Sequence, residues 1–201
     1  MKTAAVLTAL TLVAAAFPAA AQDFSFRDHR IGDRIEQHKG AYRSPHDSLP
    51  ESVFDPCKPD KNTPGLVGCF DWSLEPLGTR RGNRRDFHGL EAEYLHYSYL
   101  DGRLVGFNLS IIWRDYAALK QMVAGRYGKP AKTETAKFRT RAGVEYDGEV
   151  LTWKTPHGPM FLMERAGSVT TSSLSLTSEA AEAQIKARAG ASNAEKGRKA
   201  F

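Results

Sequence analysis

The residues best suited to chemistry lie in two stretches that follow each other along the chain. The first is an arginine cluster interrupted by a Gly-Asn pair, and its members are Arg80, Arg81, Arg84 and Arg85. Guanidinium groups bind phosphate, sulfate or carboxylate through paired N–H donors, and a glycine lets the backbone turn so that two arginines face one ligand. We expect this cluster to bind an anionic group; the alternative is a solvated charged loop.

The second stretch carries imidazoles beside carboxylates. His88 is followed by Glu91 and Glu93, and His96 comes shortly after them. This mixture suits general acid–base catalysis, as a hydrolase of the cell envelope would need. The spacing matches no established hydrolase motif, such as H-E-x-x-H or G-x-S-x-G. His88, Glu91 and Glu93 are therefore the candidates for catalysis, while the sequence as a whole favours a protein that is not an enzyme.

A β-hairpin is predicted to position the second stretch. Residues 90–99 and 103–112 are rich in aromatic and branched side chains, and the Asp-Gly pair between them is typical of a type I′ turn. Uninterrupted pairing would place Phe107 on the same face as His96, which would then lie in the core. Tyr97 and Tyr99 would project from the opposite face. There they would form an aromatic patch for a protein partner, unless the amino-terminal segment packs over them.

A helix should follow the hairpin. Apolar residues recur at three to four positions from Tyr116 to Tyr127, and Gly128 supplies a stop. Further strands are predicted at 137–140, 149–154, 160–164 and 169–176, the middle two joined as a second hairpin covered on both faces. The predicted fold is α+β: an antiparallel sheet of about five strands with one principal helix packed on one face, in two layers.

The segment 44–83 is rich in proline and has no secondary-structure period, so it is predicted to be a loop. Cys57 and Cys69 both lie in it and are the two cysteines of the chain. A disulfide between them would close a loop of about 13 residues and stabilise the fold by about 3 kcal/mol. A zinc site recruiting His46 and His88 is the alternative, but it lacks the closely spaced cysteine pair of such sites. No metal and no cofactor is predicted.

The ends of the chain indicate export. Residues 1–21 combine Lys2, an apolar run and a small-residue cleavage point, the pattern of a signal peptide whose apolar run is too short to span a membrane. Removing Lys2 with it lowers the formal net charge of +5 by one. Residues 22–178 should form a single domain. Residues 179–201 should form an alanine-rich helix followed, from Gly190, by a disordered tail.

These patterns together predict a periplasmic or secreted binding or accessory protein without enzymatic activity. The residues expected to recognise its partner are those of the arginine cluster together with Tyr97 and Tyr99. The expected partner is a protein or an anionic polymer of the envelope. Nucleic acid is not expected, because no nucleic-acid-binding motif is present and an exported protein seldom meets it. The sequence names neither the partner nor the oligomeric state.

Overall fold

The computed structural model describes residues 24–42, 56–71, 74–76, 85–139 and 143–199. Its strands are β1 (Ser25–Phe26), β2 (His29–Arg30), β3 (Cys57–Pro59), β4 (Leu66–Phe70), β5 (Glu75–Pro76), β6 (Arg85–Phe87), β7 (Leu90–Leu100), β8 (Arg103–Ile112), β9 (Lys132–Arg139), β10 (Glu145–Thr155), β11 (Gly158–Met163) and β12 (Thr171–Thr177). Its helices are α1 (Tyr116–Tyr127), α2 (Glu179–Lys199) and two 3-10 helices, Ile35–Tyr42 and Trp113–Asp115.

The fold is α+β, as the sequence predicts, but the sheet is wider than expected. β1 and β2 form a small hairpin, and the other ten strands form one sheet with antiparallel pairings in the order β3-β4-β7-β8-β12-β11-β10-β9. β6 extends β7 beyond the end of β4, and β5 pairs with β6. The prediction of about five strands is wrong. The segment predicted to be a loop supplies three short strands, which are too brief to show a period of two.

The turn of the first hairpin is the one predicted. Asp101 and Gly102 have φ of 51° and 75°, and Tyr99 pairs with Leu104. The next pair, however, is Ser98 with Gly106, so β8 contains one extra residue, a β-bulge at Val105.

The bulge changes which residues share a face. Beyond it, Tyr97 pairs with Phe107 and Leu95 with Leu109, and cross-strand partners lie on one face of a sheet. The prediction that Tyr97 projects away from Phe107 is therefore wrong. A shift of one residue moves the following side chains of a strand to the other face, here until a second irregularity at Glu93 restores the pairing of Ala92 with Ile111.

The core forms on the face that carries Phe107. Helix α1 contributes Leu119 and Val123 to the same buried cluster as the strands, as its period predicts. From the amino-terminal side, Phe26 stacks on Phe107 with ring centroids 3.9 Å apart. The amino-terminal segment that contains β1 and β2 therefore forms part of the core.

The second hairpin pairs as predicted. Leu151 lies opposite Leu162 and Trp153 opposite Met160, and all four are buried. On the reverse face, Phe161 keeps 37% of its surface exposed, so these strands are not covered on both sides as expected.

Helix α2 continues to Lys199, past Gly190 where the sequence predicts a disordered tail. Arg188 forms a bidentate pair with Asp101 in the turn of the first hairpin, and Lys196 donates to the backbone oxygen of Lys61. These contacts fasten the middle of the helix and its carboxy-terminal part to the sheet and to the loop after β3. In the described ranges, no helix combines the length and the apolar character needed to cross a membrane.

The predicted disulfide is present. Cys57 and Cys69 lie directly opposite each other in β3 and β4 and are bonded. Because both sulfurs are used in this bond, neither is available as a zinc ligand.

Candidate functional site

Of the arginine cluster, Arg85 belongs to the described residues, whereas Arg80, Arg81 and Arg84 lie outside them. Arg85 begins β6 and is buried, and its Nη1 donates to the backbone oxygen of Leu74 at 3.1 Å. Burial lowers the pKa of its guanidinium, against an opposing effect of Asp71. Arg85 therefore has a structural role and is not part of a solvated loop.

Tyr97 and Tyr99 are fully buried and do not form an exposed aromatic patch. The amino-terminal segment covers them, which is the alternative that the sequence left open. The imidazole of His29 stacks on the ring of Tyr97 at 3.9 Å, and the hydroxyl of Tyr42 lies 2.5 Å from that of Tyr99.

The side chains of this covering segment form a polar network of their own. Nε2 of His29 is 3.0 Å from the Tyr42 hydroxyl, and His38 stacks on His29 while its Nε2 contacts Asp33 at 2.9 Å. Burial, with a smaller contribution from His38, lowers the pKa of His29 to about 4. At neutral pH the His29 imidazole is therefore uncharged. Sequence reasoning missed this network because residues 29–42 lie far from Tyr97 in the chain and match no motif.

The three candidates for catalysis do not converge. His88 is exposed in the turn between β6 and β7, whereas Glu91 is buried and paired with Arg114. Glu93 accepts a hydrogen bond from Ser110 at 3.0 Å. Each carboxylate therefore interacts with a residue other than His88.

A pocket of about 670 Å³ lies between the β1–β2 turn, the β6–β7 turn and helix α1. This volume falls within the range of small-molecule sites, roughly 300 to 1,000 Å³. Its lining comprises Phe26, Arg27, Asp28, Phe87, His88, Leu119, Met122, Val123, Arg126, Tyr127 and Leu174. Among these described residues is His88, but neither Glu91 nor Glu93.

One face of α1 forms the apolar wall of the pocket. Leu119, Met122, Val123, Arg126 and Tyr127 follow one another at helical spacing, so they lie on a single side of the helix. Leu119 and Val123 are buried, whereas Met122 remains 38% exposed. The wall therefore presents a flexible apolar side chain at its surface.

Basic side chains surround this wall. The guanidinium of Arg27 is held by the buried carboxylate of Asp71 at 2.9 Å. Arg126 donates through Nη2 to the backbone oxygen of Ser25 at 3.2 Å and to its hydroxyl at 3.3 Å. Its guanidinium carbon also lies 5.5 Å from the centre of the Tyr127 ring. The pocket thus combines apolar side chains with cationic groups and with the carboxylate of Asp28.

Two of the residues that line the pocket have unusual backbone conformations. Arg27 and His88 have positive φ, 53° and 52°, which is uncommon for residues other than glycine. Each occupies the tight turn of a hairpin, and both turns open onto the pocket. Hairpin geometry accounts for these angles, and it places both side chains beside α1.

Sequence reasoning predicts some of these residues but not the pocket. The helical period predicts Leu119, Met122 and Tyr127 as one apolar face, and His88 is a candidate for catalysis. Arg27 and Arg126 were not identified, because single arginines in a turn and at a helix end carry no pattern of their own. Tertiary packing alone brings them together.

Within the described ranges, no group of three or more His, Cys, Asp or Glu side chains is arranged to hold a metal ion. Comparisons with protein-family models, with curated proteins and with solved structures each find no match for the chain.

Proposed function

We propose that this chain is an exported, non-enzymatic binding or accessory protein that recognises another macromolecule or an anionic surface, and that the pocket beside α1 is its recognition site. The observation that carries the proposal is the pocket itself: it measures about 670 Å³ and is lined by apolar side chains of α1 together with the polar residues Arg27, Asp28, His88 and Arg126. A concave site of this size that brings apolar side chains and a few polar groups together is a common form of ligand site.

Export to the periplasm or beyond the cell is supported by two independent features. The first residues have the charge and hydrophobicity pattern of a signal peptide. Cys57 and Cys69 are joined in a disulfide, a bond that persists in oxidising compartments and is rare in the cytosol.

A cell-envelope hydrolase is the weaker alternative. Such an enzyme needs its acid and its base around one reacting atom. Glu91 is engaged by Arg114, and Glu93 is engaged by Ser110. Only His88 of the three candidates lines the pocket, so the arrangement does not favour catalysis there.

The proposal is tested by filling the pocket. Met122→Trp places a large ring against the apolar wall, whereas Gln121→Trp places the same ring on an exposed neighbouring position that does not line the pocket. Binding of Nile red, an uncharged fluorescent apolar probe, is measured by titration. We expect the parent and Gln121→Trp to bind equally and Met122→Trp to bind about tenfold more weakly, a loss of about 1.4 kcal/mol.

Equal binding by Met122→Trp, or no binding by the parent, would remove the pocket as the recognition site. Thermal denaturation of both variants shows whether each is folded at the temperature of the titration.

A further inference from the structure

We infer that the ligand of this pocket is an amphiphilic acid: an apolar body lying along the α1 wall, with a carboxylate or phosphate at one end that binds Arg126. This inference rests on the proposed function, since it names the chemical class that the same pocket would take.

The apolar body follows from the wall. Met122 is a large apolar side chain that remains 38% exposed although its neighbours Leu119 and Val123 are buried in the core. Phe26 and Phe87 also line the pocket and stack on each other at 5.9 Å, although both are largely buried. A ligand with hydrocarbon or aromatic surface would remove this exposed surface from water, which is the main favourable contribution to apolar binding.

The acid follows from the charges. Arg27 has a buried carboxylate partner, Asp71, at 2.9 Å. Arg126 has no carboxylate partner in the part of the chain that the structure describes; its Nη2 hydrogen bonds go to the backbone oxygen and hydroxyl of Ser25. These bonds hold the guanidinium in place without neutralising it, and a guanidinium has five N–H donors. Arg126 is therefore the positioned cation that an anionic group would meet.

The position of the acid follows from helix geometry. Arg126 lies four residues after Met122 on the same face of α1, a displacement of about 6 Å along the helix axis. The wall is thus apolar over its first turns and cationic at its end, which matches an elongated ligand whose charge is terminal. Asp28, which also lines the pocket, would repel a second acidic group placed elsewhere on the ligand.

The inference predicts a difference between two ligands of the same length. Decanoate and decanol are used separately to displace Nile red from the purified protein, and decyl phosphate serves as a second acid. We expect both acids to bind the parent about tenfold or more tightly than the alcohol, since a hydrogen bond to a charged group contributes about 1.5 to 3 kcal/mol.

Substitutions then assign the preference to one residue. Arg126→Gln should reduce the advantage of the acids over decanol to less than about threefold. Arg126→Lys should retain most of the advantage, because the charge remains. Lys129→Gln removes one positive charge from a nearby exposed position outside the pocket and should change nothing.

Equal binding of decanoate and decanol by the parent would overturn the inference while leaving the proposed function intact. Failure of Nile red and of every decyl ligand to bind would overturn both. The ratio measured on the parent decides the question even if Arg126→Gln does not fold.

Vesicles distinguish two sources of the acid. Retention of the parent on phosphatidylglycerol vesicles but not on phosphatidylcholine vesicles, with loss in Arg126→Gln, would identify a lipid headgroup as the source. Preference for decanoate without retention on either vesicle would identify a free acid. Both results support an amphiphilic acid as the ligand.

Discussion

Replacing Tyr97 by phenylalanine should stabilise this protein. The side chain is fully buried, and its hydroxyl has no hydrogen-bond partner among the described residues. Burial also raises the pKa of the phenol, so the hydroxyl stays protonated. A buried hydroxyl without a partner costs about 1 to 3 kcal/mol, whereas the ring keeps its stacking on His29 in either form. We therefore expect the free energy of unfolding to rise by about 1 to 3 kcal/mol in Tyr97→Phe.

The matched control is Tyr99→Phe, two residues further along the same strand. Tyr99 is equally buried, but its hydroxyl lies 2.5 Å from that of Tyr42. Removing it breaks a hydrogen bond in the network that continues to His29, so stability should fall by about 0.5 to 1.5 kcal/mol. Two neighbouring tyrosines should thus respond to the same substitution with opposite signs.

Urea denaturation of the disulfide-intact protein measures both effects, since the midpoint multiplied by the slope gives the free energy of unfolding. An unchanged or lower free energy of unfolding in Tyr97→Phe would refute the reasoning, because it would mean that the hydroxyl makes a compensating hydrogen bond.

Four further outcomes are expected. Phe107→Ala should lower the free energy of unfolding by about 3 to 5 kcal/mol, because the ring is buried against the amino-terminal segment; thermal denaturation measures this, and a near-neutral effect would contradict the packing. Reducing the Cys57–Cys69 bond should cost about 3 kcal/mol and lower the melting temperature; labelling of either thiol without reductant would show that the bond is absent. Lowering the pH from 7 to 4 should destabilise the fold through His29: the unfolded imidazole binds a proton below its ordinary pKa of 6.5, the folded one only near 4, and the stability present above pH 6.5 falls by up to about 3 kcal/mol across that window. Urea curves at stepped pH should show a weaker dependence in His29→Gln, and an unchanged one would exclude His29 as the cause. Arg85→Gln should cost about 1 to 3 kcal/mol in the same urea assay, rather than the small effect of a surface substitution, because it removes a buried donor.

The hairpin shows how far sequence patterns extend. The Asp-Gly turn and the pairing of Tyr99 with Leu104 were predictable, because turn chemistry acts between adjacent residues. The bulge at Val105 was not predictable, because the apolar residues of β8 fit the alternation of a strand both with and without an extra residue there. Only the burial available on each face of the sheet selects the register, and that depends on segments distant in the chain. The error in the orientation of Tyr97 follows from this one residue.

Of the residues that line the candidate site, the sequence predicts only the apolar face of helix α1. Met122 and its neighbours follow the helical period of α1, which any window of the sequence reveals. The basic residues around them come from a turn near residue 27 and from the end of α1, and no local pattern links the two. Likewise, the buried state of Arg85 depends on its pairing with β7 rather than on the arginines beside it in sequence.

The packing of the amino-terminal segment has a consequence for the order in which the chain can fold. Phe24 and Phe26 leave the ribosome early, but Phe107, on which they stack, is synthesised some 80 residues later. At about 5 to 20 residues per second, these rings wait several seconds for their partner. During that interval they are apolar groups on an unfolded chain, available to chaperones and to other nascent chains. The amino-terminal segment therefore reaches these native contacts only after β8 has been synthesised.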